Sequence, residues 1–279
     1  MSSKSDVPGV AIITGAASGM GRATALAFAV AGVSGLALLD LNEAGLTETK
    51  DLVHKDHPSL KIELYTVDVT SESSIISAYT RAKEAFSRID YAVHCAGIVT
   101  WQGASADCTL DAFDKQNNVN YRGLWLCARE ALRIMRTQPL DHEAYPDANI
   151  APHRGQKGSI INISSGLAIA SQSGIPAYCG AKAGVCAITR SDALDYATQR
   201  IRVNAVLPGV VDTYMTNSSP EVRQFMMENP VKKATPMRRL GIPEEIADVC
   251  VFLSGNKASF VTGASWSVDG GFCAGFSYE

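Results

Sequence analysis

The feature that most constrains this chain is a steady alternation. Short apolar runs of four to six residues take turns with segments of helical pattern along the whole sequence. Residues 10–13, 36–39, 62–67, 91–95, 159–163 and 202–207 are rich in Val, Ile, Leu and Ala, and residues 266–268 form a short last run. Segments 20–31, 44–54 and 73–86 carry helical periodicity between them. Strands that are apolar on both faces imply a parallel sheet covered on both sides. With right-handed crossovers this is an α/β fold, a doubly wound parallel sheet of Rossmann type flanked by helices. The segment 243–253 shows the quality of the helical signal. Pro243 suits a first helical position, Glu244 and Glu245 suit the positive end of the dipole, and Ile246, Val249, Cys250 and Leu253 share one face.

No linker, repeat or low-complexity tract divides residues 1–279, so a single catalytic domain is expected. Two segments interrupt the rhythm. Residues 137–157, with three prolines and two histidines, are expected to be a surface insertion. Residues 213–240, with three prolines among apolar residues, are expected to form a substrate flap. A net charge of −3 argues against a nucleic-acid partner, which needs clustered Lys and Arg. The pairs Lys232-Lys233 and Arg238-Arg239 are too short for that role. Seven scattered cysteines without a Cys-x-x-Cys pair argue against a disulfide framework or a metal site and for a reducing compartment. No run approaches the ~20 apolar residues of a membrane span, and none at the N-terminus suits a signal peptide. A cytoplasmic protein is expected.

Thr14-Gly-Ala-Ala-Ser-Gly-Met-Gly21 joins the first strand to the first helix. Gly15, Gly19 and Gly21 let the turn tighten and let backbone approach a pyrophosphate, with Ser18 and Met20 beside it. The helix N-terminus then offers free N–H groups. Asp40 ends the second strand about 20 residues on, where a carboxylate accepts hydrogen bonds from ribose hydroxyls and repels a 2′-phosphate. Neither Leu41 nor Ser18 is basic, and Arg22 reads as a surface or packing residue. NAD is therefore the expected cofactor. Asp68 and Val69 end the third strand at the same edge and are candidates to touch the adenine.

Tyr178 and Lys182 are four apart at the opening of a helix that runs to Tyr196. An ammonium beside a phenol lowers its pKa and fits it to exchange a proton with an alcohol or ketone. Ile161-Asn-Ile-Ser-Ser165 ends a buried strand and brings two hydroxyls to the carboxyl edge, where such folds bind ligands. Asn120 lies in an otherwise apolar helical segment and needs partners if buried. Pro208 to Thr213 follow the sixth strand and are placed to close over a nicotinamide.

Together these motifs make the chain resemble the classical short-chain dehydrogenase/reductase family, from about residue 10 to residue 271. The resemblance implies Asn120, Ser165, Tyr178 and Lys182 as catalytic residues. It implies Gly15, Ser18, Gly19, Met20, Asp40, Asp68, Val69, Ala96, Gly97, Tyr178, Lys182, Pro208, Gly209, Val211 and Thr213 as cofactor contacts. It implies that Lys182 holds the nicotinamide ribose, that Asn120 holds a relay water and that Thr213 meets the carboxamide. The ending Thr262 to Gly271 is also similar to the family. One departure stands out. The family has Asn-Asn-Ala-Gly where this chain has His94-Cys95-Ala96-Gly97, and a buried, hydrogen-bonded His replacing a sheet-stabilising Asn is the expected reading.

The implied activity is NAD-dependent hydride transfer to or from a hydrophobic secondary alcohol or ketone of steroid, terpenoid or polyketide type. Residues 168–177, 101–103 and the segment after Thr213 are the expected walls, with Tyr214, Met215, Phe225, Met226 and Met227 as an apolar lid. The alternatives are an NADP-dependent ketoreductase, a non-catalytic NAD-binding protein, and a dehydratase, epimerase or cyclase on the same fold. A homodimer or homotetramer is implied, through the helices around 110–136 and 178–196, with the tail 272–279 docking at a neighbour's active site.

Overall fold

In a computed structural model, which describes residues 5–148 and 150–275, seven strands among the described residues form one parallel sheet. They are β1 (Val10–Thr14), β2 (Gly35–Asp40), β3 (Lys61–Thr66), β4 (Tyr91–His94), β5 (Gly158–Ile163), β6 (Ile201–Pro208) and β7 (Ser265–Val268), in the order β3-β2-β1-β4-β5-β6-β7. The helices are α1 (Gly19–Ala31), α2 (Glu43–Asp56), α3 (Glu72–Phe86), α4 (Leu110–Asn117), α5 (Leu124–Met135), α6 (Asp141–Ala144), α7 (Pro176–Tyr196), α8 (Pro220–Met226) and α9 (Pro243–Ser254). None of the described helices is long and apolar enough to cross a membrane.

The two-residue period of a strand divides the core in two. Ala11 and Ile13 point to one face and pack with Phe28 of α1, Leu46 of α2, and Ile246, Cys250 and Leu253 of α9. Val10 and Ile12 point to the other and pack with Tyr79 of α3, Leu126 and Met135 of α5, and Ala193 of α7. Every residue of β1, β4, β5 and β6 is buried. Each fully buried Ile or Leu contributes on the order of 1.5–3 kcal/mol, so both layers are needed. The order reverses between β1 and β4, which opens a crevice at the carboxyl ends of these strands.

The segment 110–136 is less regular than its pattern suggests. Between α4 and α5 the residues Asn118–Gly123 form a π-helical turn. Residues 137–157 are also less superficial than expected. Gln138 hydrogen-bonds Ile89 N and O, and Asp141 is buried and accepts from Gln156 N at 3.0 Å. Gln156 in turn accepts from Arg202 Nε at 2.8 Å, and Tyr145 donates to Asp90 Oδ2 at 2.9 Å. These groups tie down the amino ends of the central strands, the edge opposite the crevice.

His94 sits at the end of β4 in a fully paired chain of hydrogen bonds. The Tyr79 hydroxyl donates to its Nε2 at 3.1 Å, its Nδ1 donates to Asn162 Oδ1 at 2.8 Å, and Asn162 Nδ2 donates to Thr189 at 2.9 Å. This links α3, β4, β5 and α7. Burial pushes the imidazole pKa down to about 4, against the smaller upward pull of Asn162. Between that value and the 6.5 of an unfolded His, the unfolded chain binds the extra proton, so stability falls as pH falls. The loss from this residue should reach about 2 kcal/mol at pH 5. Urea unfolding at pH 7 and pH 5 is expected to show that His94→Asn loses less stability than the parent by that amount.

Candidate active site

The glycine loop fits a dinucleotide by what its glycines leave out. Gly15 has φ +69°, and a Cβ there would stand 2.8 Å from Ala96 N. A Cβ on Gly21 would collide with the carbonyl oxygen of Gly15, and one on Gly19, at φ +51°, would press on the Thr213 methyl at 3.3 Å. Ser18 is the N-cap of α1 but makes no side-chain cap bond, so the first N–H groups of the helix are left for an anion. Asp40 Oδ2 accepts from Ala17 N at 3.1 Å, which sets the carboxylate against the loop. Arg22 is spent on Ala17 O at 2.6 Å and Glu48 at 2.8 Å. Asp68 caps its own turn through Thr70 N at 2.8 Å, while the Val69 carbonyl lies against Gly123. Ala96 N donates to Thr14 Oγ1, and Gly209 N donates to Val268 O. Val211 is buried, and Thr213 opens the flap beside the loop.

Asn120 stands in the π turn, and this irregularity aims its side chain inward. It is completely buried, with Oδ1 accepting from Ile98 N at 2.9 Å and Nδ2 donating to Ile98 O at 2.8 Å. The amide thereby ties the π turn to the backbone at Ile98. A Cβ on Gly97 would stand 2.9 Å from Asn120 Oδ1 and 3.6 Å from Lys182 Nζ, so a glycine is needed there.

β5 and α7 supply the remaining groups. Ser164 donates its hydroxyl to Lys182 O at 2.7 Å and is used up in holding α7. Ser165 Oγ accepts from Leu167 N at 3.1 Å, which leaves its proton to donate. Lys182 is buried, donates to Ile163 O at 2.8 Å and lies 5.8 Å from the Tyr178 ring centre. Burial lowers the lysine pKa to about 8. Burial also raises the Tyr178 pKa, while a hydrogen bond with Ser165 pulls it down. In the protein alone the phenol therefore sits above its ordinary value, the reverse of what the neighbouring lysine suggests from sequence. Cys95 is held at about 12 by burial, which suits a thiol that packs rather than reacts.

A cleft of ≈ 480 Å³ opens over Ser165 and Tyr178. Met20, Pro208, Gly209, Val211 and Thr213 line it from the cofactor side. Trp101, Gln172, Ile175, Met215, Phe225 and Met226 also line it. Tyr214 instead points outward and is 78% exposed, and Met227 is not among the lining residues. Val99 and Leu167 also line the cleft without having been singled out, as does Val222 from the segment after Thr213. So does Phe272, and Cys273 Sγ donates to Gly166 O, while 276–279 of the tail fall outside the described residues.

This fold and site match a known family. A family model described as short chain dehydrogenase covers residues 9–224. The chain is 37% identical over 270 residues to the short-chain dehydrogenase fogB of Aspergillus ruber, spanning 95% of this chain and 97% of the relative. It is 35% identical over 266 residues to a cis-4-hydroxycyclohexanecarboxylate dehydrogenase of Sinomonas cyclohexanicum, spanning 95% and 96%. The crystal structure of a levodione reductase superposes with a TM-score of 0.85 at 31% identity, over 98% of this chain and 100% of that one. The protein belongs to the short-chain dehydrogenase/reductase family. It is therefore an oxidoreductase of a family that binds a nicotinamide cofactor, NAD or NADP.

Removing the Asn120 amide leaves Ile98 N without its acceptor, while Ile98 O keeps the Gln116 amide at 2.6 Å. Asn120→Ala is expected to lower unfolding stability by roughly 1–3 kcal/mol, as read from urea denaturation at neutral pH.

Proposed function

We propose that this protein is an NAD-dependent dehydrogenase/reductase that interconverts a hydrophobic secondary alcohol and its ketone, of steroid, terpenoid or polyketide type. The observation that carries the reading is that Ser165 and Tyr178 line a largely apolar cleft beside the glycine loop, with Lys182 Nζ 5.8 Å from the Tyr178 ring centre. The reaction balances as alcohol plus NAD⁺ giving ketone, NADH and a proton.

The nicotinamide ring, when bound, accepts or donates the hydride. Proton handling falls to the chain. Ser165 donates a hydrogen bond to the substrate oxygen and steadies charge developing there. Tyr178 takes the hydroxyl proton in oxidation and returns one to the carbonyl oxygen in reduction. Lys182 holds positive charge beside the phenol and offers donors to the cofactor ribose. Asn120 acts as a positioning residue, since it fixes Ile98 and with it the wall at Val99. Burial of the hydroxyls among Leu167, Ile175 and Phe225 excludes water that would compete for these hydrogen bonds.

Asp40 supports NAD over NADP. Its carboxylate faces the loop where the adenosine ribose is expected, and the nearby Arg22 is already engaged by Glu48 and Ala17. The names of two relatives, a levodione reductase and a cis-4-hydroxycyclohexanecarboxylate dehydrogenase, support a ring alcohol or ketone as substrate. Exposed Phe113, Tyr121, Trp125 and Leu194 on α4, the π turn, α5 and α7 support a homo-oligomer.

Fluorescence titration is expected to show tighter binding of NADH than NADPH. Asp40→Ala should weaken NADH by roughly 10- to 100-fold and narrow the difference, whereas tighter NADPH binding by the parent would recast the enzyme as an NADP-dependent ketoreductase. Tyr178→Phe should cut turnover of a secondary-alcohol panel by about 100-fold or more while retaining NADH binding, and comparable turnover would sink the assignment. The pH profile gives a third check. Lys182 is charged below a pKa of about 8 and neutral above it, so kcat/KM for ketone reduction should fall as pH climbs through that value.

A further inference from the structure

Two aromatic rings in the cleft lie close against glycine backbone. Gly174 has φ +83°, and a Cβ there would fall inside the benzo ring of Trp101. Gln102 N donates to Gly174 O at 2.9 Å, so the two backbones are also tied. Even so, Trp101 is 68% exposed, an unusual place to leave an indole unless something covers it.

Phe272 is held in a comparable way. A Cβ on Gly166 would stand 3.1 Å from Phe272 Cδ1. Gly270 and Gly271, at φ +61° and +90°, turn the chain back toward the cleft. The Asp269 carboxylate fixes that turn by accepting from Gly271 N and Cys273 N, each at 2.9 Å. Cys273 Sγ then donates to Gly166 O at 3.2 Å.

Gly166 and Gly174 both lie between Ser165 and Tyr178 in sequence, and both rings line the cleft with these two residues. The rings are thus placed by the same short segment that places the reacting hydroxyls. A ring braced by backbone loses little freedom when a ligand covers it. Aromatic faces gain most from another flat π system, through offset or edge contact, beyond what burial of equal aliphatic area gives.

We infer that Trp101 and Phe272 are specificity-determining residues that select planar, conjugated ring ketones, and the corresponding arene-fused alcohols, over saturated rings of equal size. This rests on the redox reading of the same cleft. It narrows that reading to a substrate whose carbonyl is borne on or next to a flat ring.

The test compares 1-tetralone with 1-decalone, which share a ten-carbon bicyclic skeleton but differ in planarity. With the purified enzyme and its preferred reduced cofactor, the tetralone-to-decalone ratio of kcat/KM should fall roughly five- to tenfold in Trp101→Leu and in Phe272→Leu. The change should lie in KM. A ratio within twofold of the parent in either variant overturns the role given to that residue. If neither ketone turns over with NADH or NADPH, calorimetry on the enzyme–cofactor complex reads the two rings alone. Tighter tetralone binding that Trp101→Leu removes would sustain the inference and count against the redox reading. Equal binding of the two ketones would overturn the inference.

Discussion

A strand buried on both faces has no room for a polar side chain except at its ends or in a closed set of partners. β1, β4, β5 and β6 all obey this rule. The polar groups of the crevice accordingly sit where strands stop, at Thr14 ending β1, Ser164 and Ser165 after β5, and Gly209 to Thr213 after β6. Parallel pairing brings all of these ends to one side. The site follows from the sheet, since its carboxyl edge collects these polar groups at the ends of neighbouring strands.

The opposite edge carries a different load. Gln138, Asp141, Tyr145 and Gln156 reach from the 137–157 segment to Ile89, Asp90 and Arg202, and satisfy buried polar groups near the amino ends of the strands. Burial lowers the Arg202 pKa to about 10, which still leaves it charged at neutral pH. Its bonds to Gln156, Val261 and Ser254 supply the partners such a charge requires. One edge is thus closed and cross-linked, while the other stays open under a flap that carries α8 and a π-helical stretch, Met227–Ala234.

Much of this was legible in the sequence because the signals are local. The glycine spacing, the end of β2 at Asp40, and the pairing of Tyr178 with Lys182 each span a few residues. What was hidden depends on distant backbone. The partner of Asn120 is the peptide group at Ile98, 22 residues earlier, and no pattern marks a peptide group. The π turn was masked because the apolar pattern of 110–136 continues through it. Gln138, Asp141 and Gln156 looked like surface because polarity alone does not show a satisfied partner. The burial that raises the Tyr178 pKa is hidden for a related reason, since it comes from residues distant in sequence.

The hydrogen-bonded run from Tyr79 through His94 and Asn162 to Thr189 has a consequence for how such chains exchange parts. Each member is chosen for the donor or acceptor its neighbour presents, and the four come from stretches of sequence 110 residues apart at their extremes. Recombination between family members that breaks the chain between residues 94 and 162 would marry a histidine to an amide set for another partner. These positions are inherited most safely as a block, and a chimera would keep its fold best where the crossovers leave that block whole.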